Sequence, residues 1–378
     1  MIRALTALFQ KQKRSPGERV KKQKLHAPDH WLSVATIVLG LFGILMVYDS
    51  SVAIAIRDFA DQYHFVREQF RWLVAGSCLL LVMSWIDYHR WYKLALPILV
   101  FTLFLLGLVF LPGVGIRALG AHRWIHAGFF VFQPAELAKL ALVIYLAAWF
   151  SFPEKRRIGA FLLLLGMVVG LVVAEPDLGT ALIILTTAVA MYFFSGAPLW
   201  QFALLVPLFA LGVGGLAIFS PYRLKRITTF LNPETDPLGA SYQIRQVLLA
   251  LGSGGWFGIG IGKSRQKYEY LPEANTDSIF AIVGEELGFI GAAILILLFL
   301  FMVWRGFRIA KRAPDTFGKF LALGISSWIG FQTLLNLAAM VALVPLTGIP
   351  LPLVSYGGSS LIMTLVALGV LLNISRFR

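Results

Sequence analysis

Residues 31–56 read WLSVATIVLGLFGILMVYDSSVAIAI and contain a single charged residue, Asp49, for which the sequence offers no obvious partner. Roughly twenty predominantly apolar residues are enough for a helix to cross a bilayer. The stretch therefore predicts a transmembrane helix over Trp31–Ile56. Nine further stretches predict spans in the same way: Arg71–Ile86, Leu94–Leu111, Ala135–Phe150, Ile158–Ala174, Leu178–Phe194, Leu199–Phe219, Asp277–Trp304, Phe317–Leu343 and Leu353–Leu372.

The composition of the whole chain agrees with this reading. Of its 378 residues 58% are hydrophobic and only 14% are charged, and the mean hydropathy is +0.78. Soluble proteins carry roughly 25% charged residues. We therefore expect an all-α fold, a polytopic integral membrane bundle of about ten transmembrane helices. The single cysteine, Cys78, excludes an intrachain disulfide.

The distribution of lysine and arginine predicts the orientation. The formal net charge is +14, but the basic residues lie between apolar spans, which argues against nucleic acid as a partner. Residues 1–30 form a basic tail without a signal-peptide pattern, and alternate short loops are also basic. We expect a multi-pass protein of the cytoplasmic membrane with both termini in the cytoplasm, its tail next to membrane lipids.

One connection is too long for an ordinary loop. Residues 220–276 contain turn residues at 232–237, an amphipathic stretch at Tyr242–Leu251 and a cluster of glycines. We expect a folded extracytoplasmic loop that caps one transmembrane domain, residues 31–378. Gln243 and Gln246 lie on its amphipathic stretch and are candidate binding residues.

Ionisable residues at the ends of spans are expensive to bury and each needs a reason. Glu136 and Lys139 share a helix face after Pro134, as either a structural ion pair or the polar lining of a cavity. Asp177 follows a tight turn, where it can cap the next helix and still line a cavity. Arg123 and Trp124 lie in a loop on the non-cytoplasmic side, where arginine can meet phosphate and tryptophan can anchor the interface.

Asp277 ends the long loop and begins a span, so it lies at the non-cytoplasmic interface. It is also a possible N-cap, although a cap does not explain the polar run Glu273–Thr276 before it. On a helix, Glu285 and Glu286 cannot both share a face with Asp277, and we expect them to pair inside the bundle. Before the last span, Ser355, Tyr356, Gly357 and Gly358 suit either close helix packing or backbone contacts to a phosphate.

These clusters, in this order, resemble the SEDS family of bacterial cell-wall proteins, to which RodA, FtsW and SpoVE belong. The resemblance covers the chain beyond the basic tail. It rests on Gly120–Trp124, Phe132–Lys139, Pro176–Thr180, Tyr270–Leu287 and Pro350–Ser360. The stretch around Tyr270–Ala274 looks more like the division branch than the elongation branch. Three residues depart from the usual family pattern: Asp49 for serine, Ser278 for phenylalanine and Ala342 for glycine.

The resemblance implies a glycosyltransferase that polymerises lipid II into peptidoglycan strands beside a class B penicillin-binding protein. The family's essential aspartate maps onto Asp277, which a partly dry environment would suit as a general base. Arg123, Lys139, loop cations or a divalent cation such as Mg²⁺ or Mn²⁺ would balance the departing diphosphate. The sequence shows no metal-ligand set. A lipid II flippase and a division or elongation scaffold remain alternatives.

Overall fold

The computed structural model describes residues 26–111, 114–118, 121–127, 130–152, 158–218, 228, 230, 241–268 and 270–377. The basic tail up to residue 25, the 153–157 loop and the predicted turn at 232–237 lie outside these ranges. The described part is a helical bundle. Its helices are α1 (His30–Phe59), α2 (His64–Trp85), α3 (His89–Leu108), α4 (Pro134–Phe150), α5 (Ile158–Ala174), α6 (Leu178–Phe194), α7 (Leu199–Ile218), α8 (Tyr242–Gly254), α9 (Ile279–Arg312), α10 (Thr316–Met340) and α11 (Gly358–Arg376).

Ten of these helices coincide with the ten predicted spans, and α8 is the amphipathic stretch of the long loop. Within the described residues five helices are long and apolar enough to cross a membrane: α1, α3, α9, α10 and α11. Two shorter apolar helices, α5 and α6, accompany them. The fold is therefore the polytopic helical bundle that the hydropathy predicts, with limits that differ by up to eight residues.

Both ends of the described chain lie at the same end of the bundle. The backbone N–H of His26 donates to the carbonyl of Arg376 at 2.9 Å, and the N–H of Asp29 donates to Ser375 Oγ. The Asp29 carboxylate also pairs with the buried Arg305 on α9. We call this the termini end and the opposite end the site end. An even number of spans follows from this arrangement.

The connection between α3 and α4 contains a small sheet that the sequence analysis did not predict. Strands β1 (Gly115–Ala118), β2 (Ala121–Ala127) and β3 (Phe130–Phe132) are antiparallel in the order β1–β2–β3. Arg123 and Trp124 therefore lie on a strand and not in an irregular loop. The bundle is all-α, and this sheet is an addition at the site end.

Helix α9 is interrupted near its start. Gly288 has φ 67° and ψ −167°, a conformation essentially restricted to glycine. The long loop packs into this kink: the N–H groups of Phe289 and Ile290 donate to the carbonyls of Gly255 and Trp256. A Cβ on Gly258 would lie 2.0 Å from the Glu286 carbonyl oxygen. Because Gly258 and Gly288 have no side chain, the loop can pack directly against the backbone of α9. This contact fixes the short first segment of α9, residues 279–287.

Candidate functional site

The polar clusters of the sequence meet around one segment, residues 347–350, which precedes α11. The first turn of α6 lies against it, so close that a Cβ on Gly179 would be 2.8 Å from the Thr347 carbonyl oxygen. From α10, Asn336 Nδ2 donates to the carbonyls of both Ile349 and Asp277, each at 2.8 Å. A single amide thus ties the segment to the start of α9.

Lys139 joins the same segment from inside the bundle. Its ammonium lies 2.9 Å from Glu136 Oε2 and donates to Gln332 Oε1 at 2.9 Å. Gln332 in turn donates to the Pro350 carbonyl, and Trp328 places its ring 5.0 Å below the ammonium. The predicted ion pair is present and almost fully buried. Its positive charge is largely balanced by Glu136.

Asp177 links the second and first sequence clusters. It caps α6 as expected, accepting from the Thr180 N–H at 3.0 Å and from the Thr180 hydroxyl at 2.8 Å. Gln133, immediately before α4, donates to Asp177 Oδ2 at 2.9 Å. The backbone N–H of Gln133 donates to Ser359 Oγ on α11. Three helix N-termini therefore share one hydrogen-bonded network at the site end.

Asp277 lies two residues before α9 and is nine-tenths buried. The N-cap position belongs to Ser278, which makes no capping hydrogen bond, so the N-cap reading of Asp277 is wrong. Ser278 Oγ accepts from Gln243 Nε2 on α8 at 3.1 Å. Gln246 lies three residues further along α8 and is half-buried. Capping therefore does not account for the carboxylate of Asp277.

The segment before α11 lies beside the same network. The N–H of Tyr356 donates to the carbonyl of Asn275 at 2.8 Å, which joins the third and fourth sequence clusters. The Ser355 carbonyl accepts from Gln69. Gly357 occupies the N-cap of α11. A Cβ on Gly358 would lie 2.6 Å from the ring of Trp72, so this glycine serves close packing.

Arg123 clamps the turn between α5 and α6. Its guanidinium donates to the backbone carbonyls of Glu175, at 3.0 Å, and Pro176. These acceptors are neutral, so the contacts leave its charge uncancelled. Trp124, its neighbour on β2, is half-buried. The sequence predicts an arginine that can meet phosphate, and in the structure Arg123 also positions the turn between α5 and α6.

Glu175 is a residue that sequence reasoning missed. Its side chain is 0% exposed, and neither carboxyl oxygen has a hydrogen-bond partner among the described residues. Burial, and then the nearby charge of Asp177, raise the pKa of Glu175 to about 8, against a smaller opposing effect of Arg123. At neutral pH this carboxyl is therefore mostly protonated and does not neutralise Arg123. In the sequence, only its position directly before Pro176 could have indicated that Glu175 lies in a structured turn.

A second polar cluster joins the long loop to the bundle. Lys267 Nζ lies 2.7 Å from Asp49 Oδ1 on α1 and 3.1 Å from Glu286 Oε1 on α9. Burial lowers the pKa of Lys267, but hydrogen bonds and charge from the two carboxylates outweigh it, so its pKa is raised and it stays charged. Asp49, which appeared to have no partner, is therefore paired across more than two hundred residues.

The two adjacent glutamates are buried, and Glu286 pairs inside the bundle with Lys267, as expected from the sequence. Both glutamates also hold the long loop. Glu286 accepts from the N–H groups of Gly262 and Ser264, and Glu285 accepts from the Ser264 hydroxyl and the Arg265 N–H. Hydrophobic periodicity could not reveal this, because the donors lie in an irregular loop. The cluster fixes the loop directly before Asp277.

The described residues do not form a metal site. In the part of the chain that the structure describes, no three His, Cys, Asp or Glu side chains come together in a way that could hold a metal ion. The carboxylate of Asp177 accepts from Gln133 and from the N–H of Thr180, and the hydroxyl of Thr276 lies 3.5 Å from the carboxylate of Asp277.

The fold and this site define a class: a multi-pass membrane protein with a buried polar network of carboxylates, amides and cations at one end of its bundle. Residues 30–378 match the family model FTSW_RODA_SPOVE, described as cell cycle protein. The chain belongs to this family, the SEDS family that the sequence motifs resemble.

Individual relatives agree with this assignment. The chain is 43% identical to stage V sporulation protein E of Bacillus subtilis, over 94% of this chain and 98% of that one. It is 42% identical to the probable peptidoglycan glycosyltransferase FtsW of Geobacter sp. strain M18, over 93% and 98%. A similar chain is found in a solved structure of a peptidoglycan synthase complex that coordinates polymerization and crosslinking. The TM-score is 0.76 and the identity is 32%, over 93% of this chain and 98% of that one.

Proposed function

We propose that this protein is a peptidoglycan glycosyltransferase that polymerises lipid II, with its site end at the outer face of the cytoplasmic membrane. The observation that carries the proposal is the convergence of Asp277, Asp177 and Arg123 on one end of the bundle, in a chain whose family includes named glycosyltransferases. Basic residues at the termini end, including Arg305, Arg308, Lys311 and Arg312, support a cytoplasmic location for that end.

Asp277 is the proposed general base. Chain growth joins an acceptor hydroxyl to the anomeric carbon of the donor sugar, and the bond to the lipid-linked diphosphate breaks. The carboxylate of Asp277 takes the hydroxyl proton as the new glycosidic bond forms, and the electron pair of the broken bond leaves with the diphosphate. A positioned base of this kind contributes typically 10²- to 10⁴-fold to a rate. The amide of Asn336 holds the backbone carbonyl of Asp277 and so fixes the position of this residue at the start of α9.

Arg123 is the proposed partner of the departing diphosphate. Lys139 is paired with Glu136 deep in the bundle, whereas Arg123 contacts neutral carbonyls beside a protonated Glu175. A guanidinium whose hydrogen-bond acceptors among the described residues are neutral carbonyls can stabilise negative charge that develops in the transition state. Asp177, Gln133 and Gln243 then shape the surrounding polar surface.

We also infer a crosslinking partner. The similar chain comes from the structure of a peptidoglycan synthase complex in which polymerization and crosslinking are coordinated. For this protein, a class B penicillin-binding protein would supply the crosslinking activity. Lipid II and the surrounding membrane lipids complete the set of partners.

The test is reconstitution in vesicles with labelled lipid II and a partner transpeptidase. Wild type is expected to produce polymer and Asp277→Ala is not, while Asp87→Ala, an aspartate of the termini end, serves as the matched control and keeps activity. Polymer from the Asp277 variant would remove this residue from its role. Translocation of lipid II without polymer would favour a flippase.

A further inference from the structure

The turn that follows α8 exposes large apolar side chains. Trp256 is 68% exposed and Phe257 is 82% exposed. Trp256 packs edge-on against Phe289 of α9, with ring centroids 5.2 Å apart, and Phe289 is itself 60% exposed. We call these three residues the Trp256 patch. A cluster of this kind on a loop marks a contact with something apolar.

The preceding helix extends the same surface. The buried face of α8 carries Ile244, Val247 and Ala250, yet Leu248 and Leu249 are exposed on its other side. An amphipathic loop helix that faced only water would carry polar residues there. The outward face of α8 therefore carries two exposed leucines on either side of the exposed Arg245, a combination of apolar and cationic side chains that suits the boundary between acyl chains and headgroups.

The depth of the Trp256 patch follows from α9. Near the termini end, Trp304 is half exposed and its ring lies within about 5.5 Å of the guanidinium groups of Arg305 and Arg308, an arrangement typical of a membrane interface. Phe289 lies fifteen residues earlier, about 22 Å along the helix at 1.5 Å per residue. The hydrocarbon core is about 30 Å thick. Phe289, and Trp256 packed on it, therefore lie no further out than the opposite edge of the bilayer.

The patch is also continuous with a lipid-facing stripe. Ile290, Ile294 and Leu297 follow at helical spacing on α9 and are exposed. Further along the chain, six to nine residues after Trp256 and Phe257, Lys263 and Arg265 are exposed cations. Apolar and aromatic side chains next to lysine and arginine match the acyl–headgroup boundary of a bilayer. This combination favours lipid over a second protein as the occupant.

We propose that the turn after α8 is a membrane anchor: Trp256 and Phe257 insert into the leaflet at the site end, and Lys263 and Arg265 meet lipid phosphates. The loop is hydrogen-bonded to the kink at Gly288. The anchor therefore fixes the height of residues 279–287, and of Asp277 before them, relative to the headgroups. If the substrate is a diphosphate-linked lipid, this height sets where Asp277 meets it, and that step rests on the proposed function. The membrane anchor itself does not depend on the proposed function.

The test measures depth and needs no activity. In a Cys78→Ser background, a spin label is placed at Phe257→Cys, with Ile294→Cys as the hydrocarbon reference and Gln62→Cys as the reference for an exposed turn at the same end. The full chain is reconstituted in vesicles of phosphatidylethanolamine and phosphatidylglycerol. The accessibility of each label to oxygen and to a water-soluble nickel chelate is then compared by EPR.

The expected ratio of oxygen to nickel accessibility at position 257 is several times that at position 62 and approaches that at position 294. A ratio equal to that at position 62 would place the turn in water and overturn the proposal. Shielding from both reagents would show that protein, such as a second copy, covers the patch, and would overturn it too. A label at Leu249→Cys on the exposed face of α8 repeats the measurement if the first variant does not fold.

Discussion

Removal of the Lys267 ammonium is expected to leave two buried carboxylates without a cation. Lys267 Nζ lies 2.7 Å from Asp49 and 3.1 Å from Glu286, and its side chain is only 5% exposed. Loss of one member of a buried ion pair costs about 3–5 kcal/mol. At about 2 °C per kcal/mol for a chain of this size, Lys267→Met should melt roughly 6–10 °C below wild type.

A charge series separates this explanation from simple packing loss. Asp49→Ser leaves Lys267 paired with Glu286 and removes one of two neighbouring negative charges, so it should cost about 1 kcal/mol or less. The double variant Lys267→Met/Asp49→Ser leaves one unpaired carboxylate where the single variant leaves two. It should therefore be more stable than Lys267→Met alone.

The assay is thermal unfolding in detergent, followed by tryptophan fluorescence at one fixed scan rate, because the melting temperature of a protein that unfolds irreversibly depends on the scan rate. Lys263→Met, which removes an exposed lysine from the same loop, is the control and should have the same melting temperature as wild type. The reasoning is refuted if Lys267→Met also melts with wild type. It is equally refuted if the double variant is less stable than Lys267→Met, since charge compensation would then not be what Lys267 supplies.

Two further predictions concern single positions. Because the pKa of Glu175 is raised from 4.5 to about 8 in the folded protein, its contribution to stability is fully present below pH 4.5 and is lost as pH rises through 8. Glu175→Gln should therefore flatten the fall in melting temperature between pH 5 and 8, and a slope equal to that of wild type would contradict this. Gly258→Ala should destabilise by about 2–4 kcal/mol, since its Cβ meets the Glu286 carbonyl at a positive φ. Gly252→Ala, with open space around it, should be neutral or slightly stabilising by the same thermal assay.

The spans could be predicted because lipid leaves a strong signal in sequence. Every predicted span contains a helix, and the ends agree within a few residues for most of them. The kink at Gly288 was not predicted, because a glycine inside an apolar run looks the same whether the helix is straight or broken. The sheet at 115–132 was missed for a related reason: its strands are short and lie in a loop that hydropathy does not describe.

The sequence identified many residues of the candidate site but few of the hydrogen bonds and ion pairs between them. The Glu136–Lys139 pair and the Asp177 cap are local in sequence, and both are present. The partners of Asp49, Glu285 and Glu286 lie in an irregular loop, so no periodicity could identify them. Glu175 was overlooked because the sequence does not show that its side chain is buried without a hydrogen-bond partner.

The central claim is that the carboxylate of Asp277 removes a proton while the glycosidic bond forms. Asp277→Asn tests it most directly, because the amide has nearly the same shape and the Asn336 hydrogen bond goes to the backbone. The measurement is the initial rate of labelled lipid II consumption into polymer, at equal amounts of folded protein confirmed by unchanged melting. We predict a loss of about 10²- to 10⁴-fold. A rate within a few-fold of wild type would contradict the account.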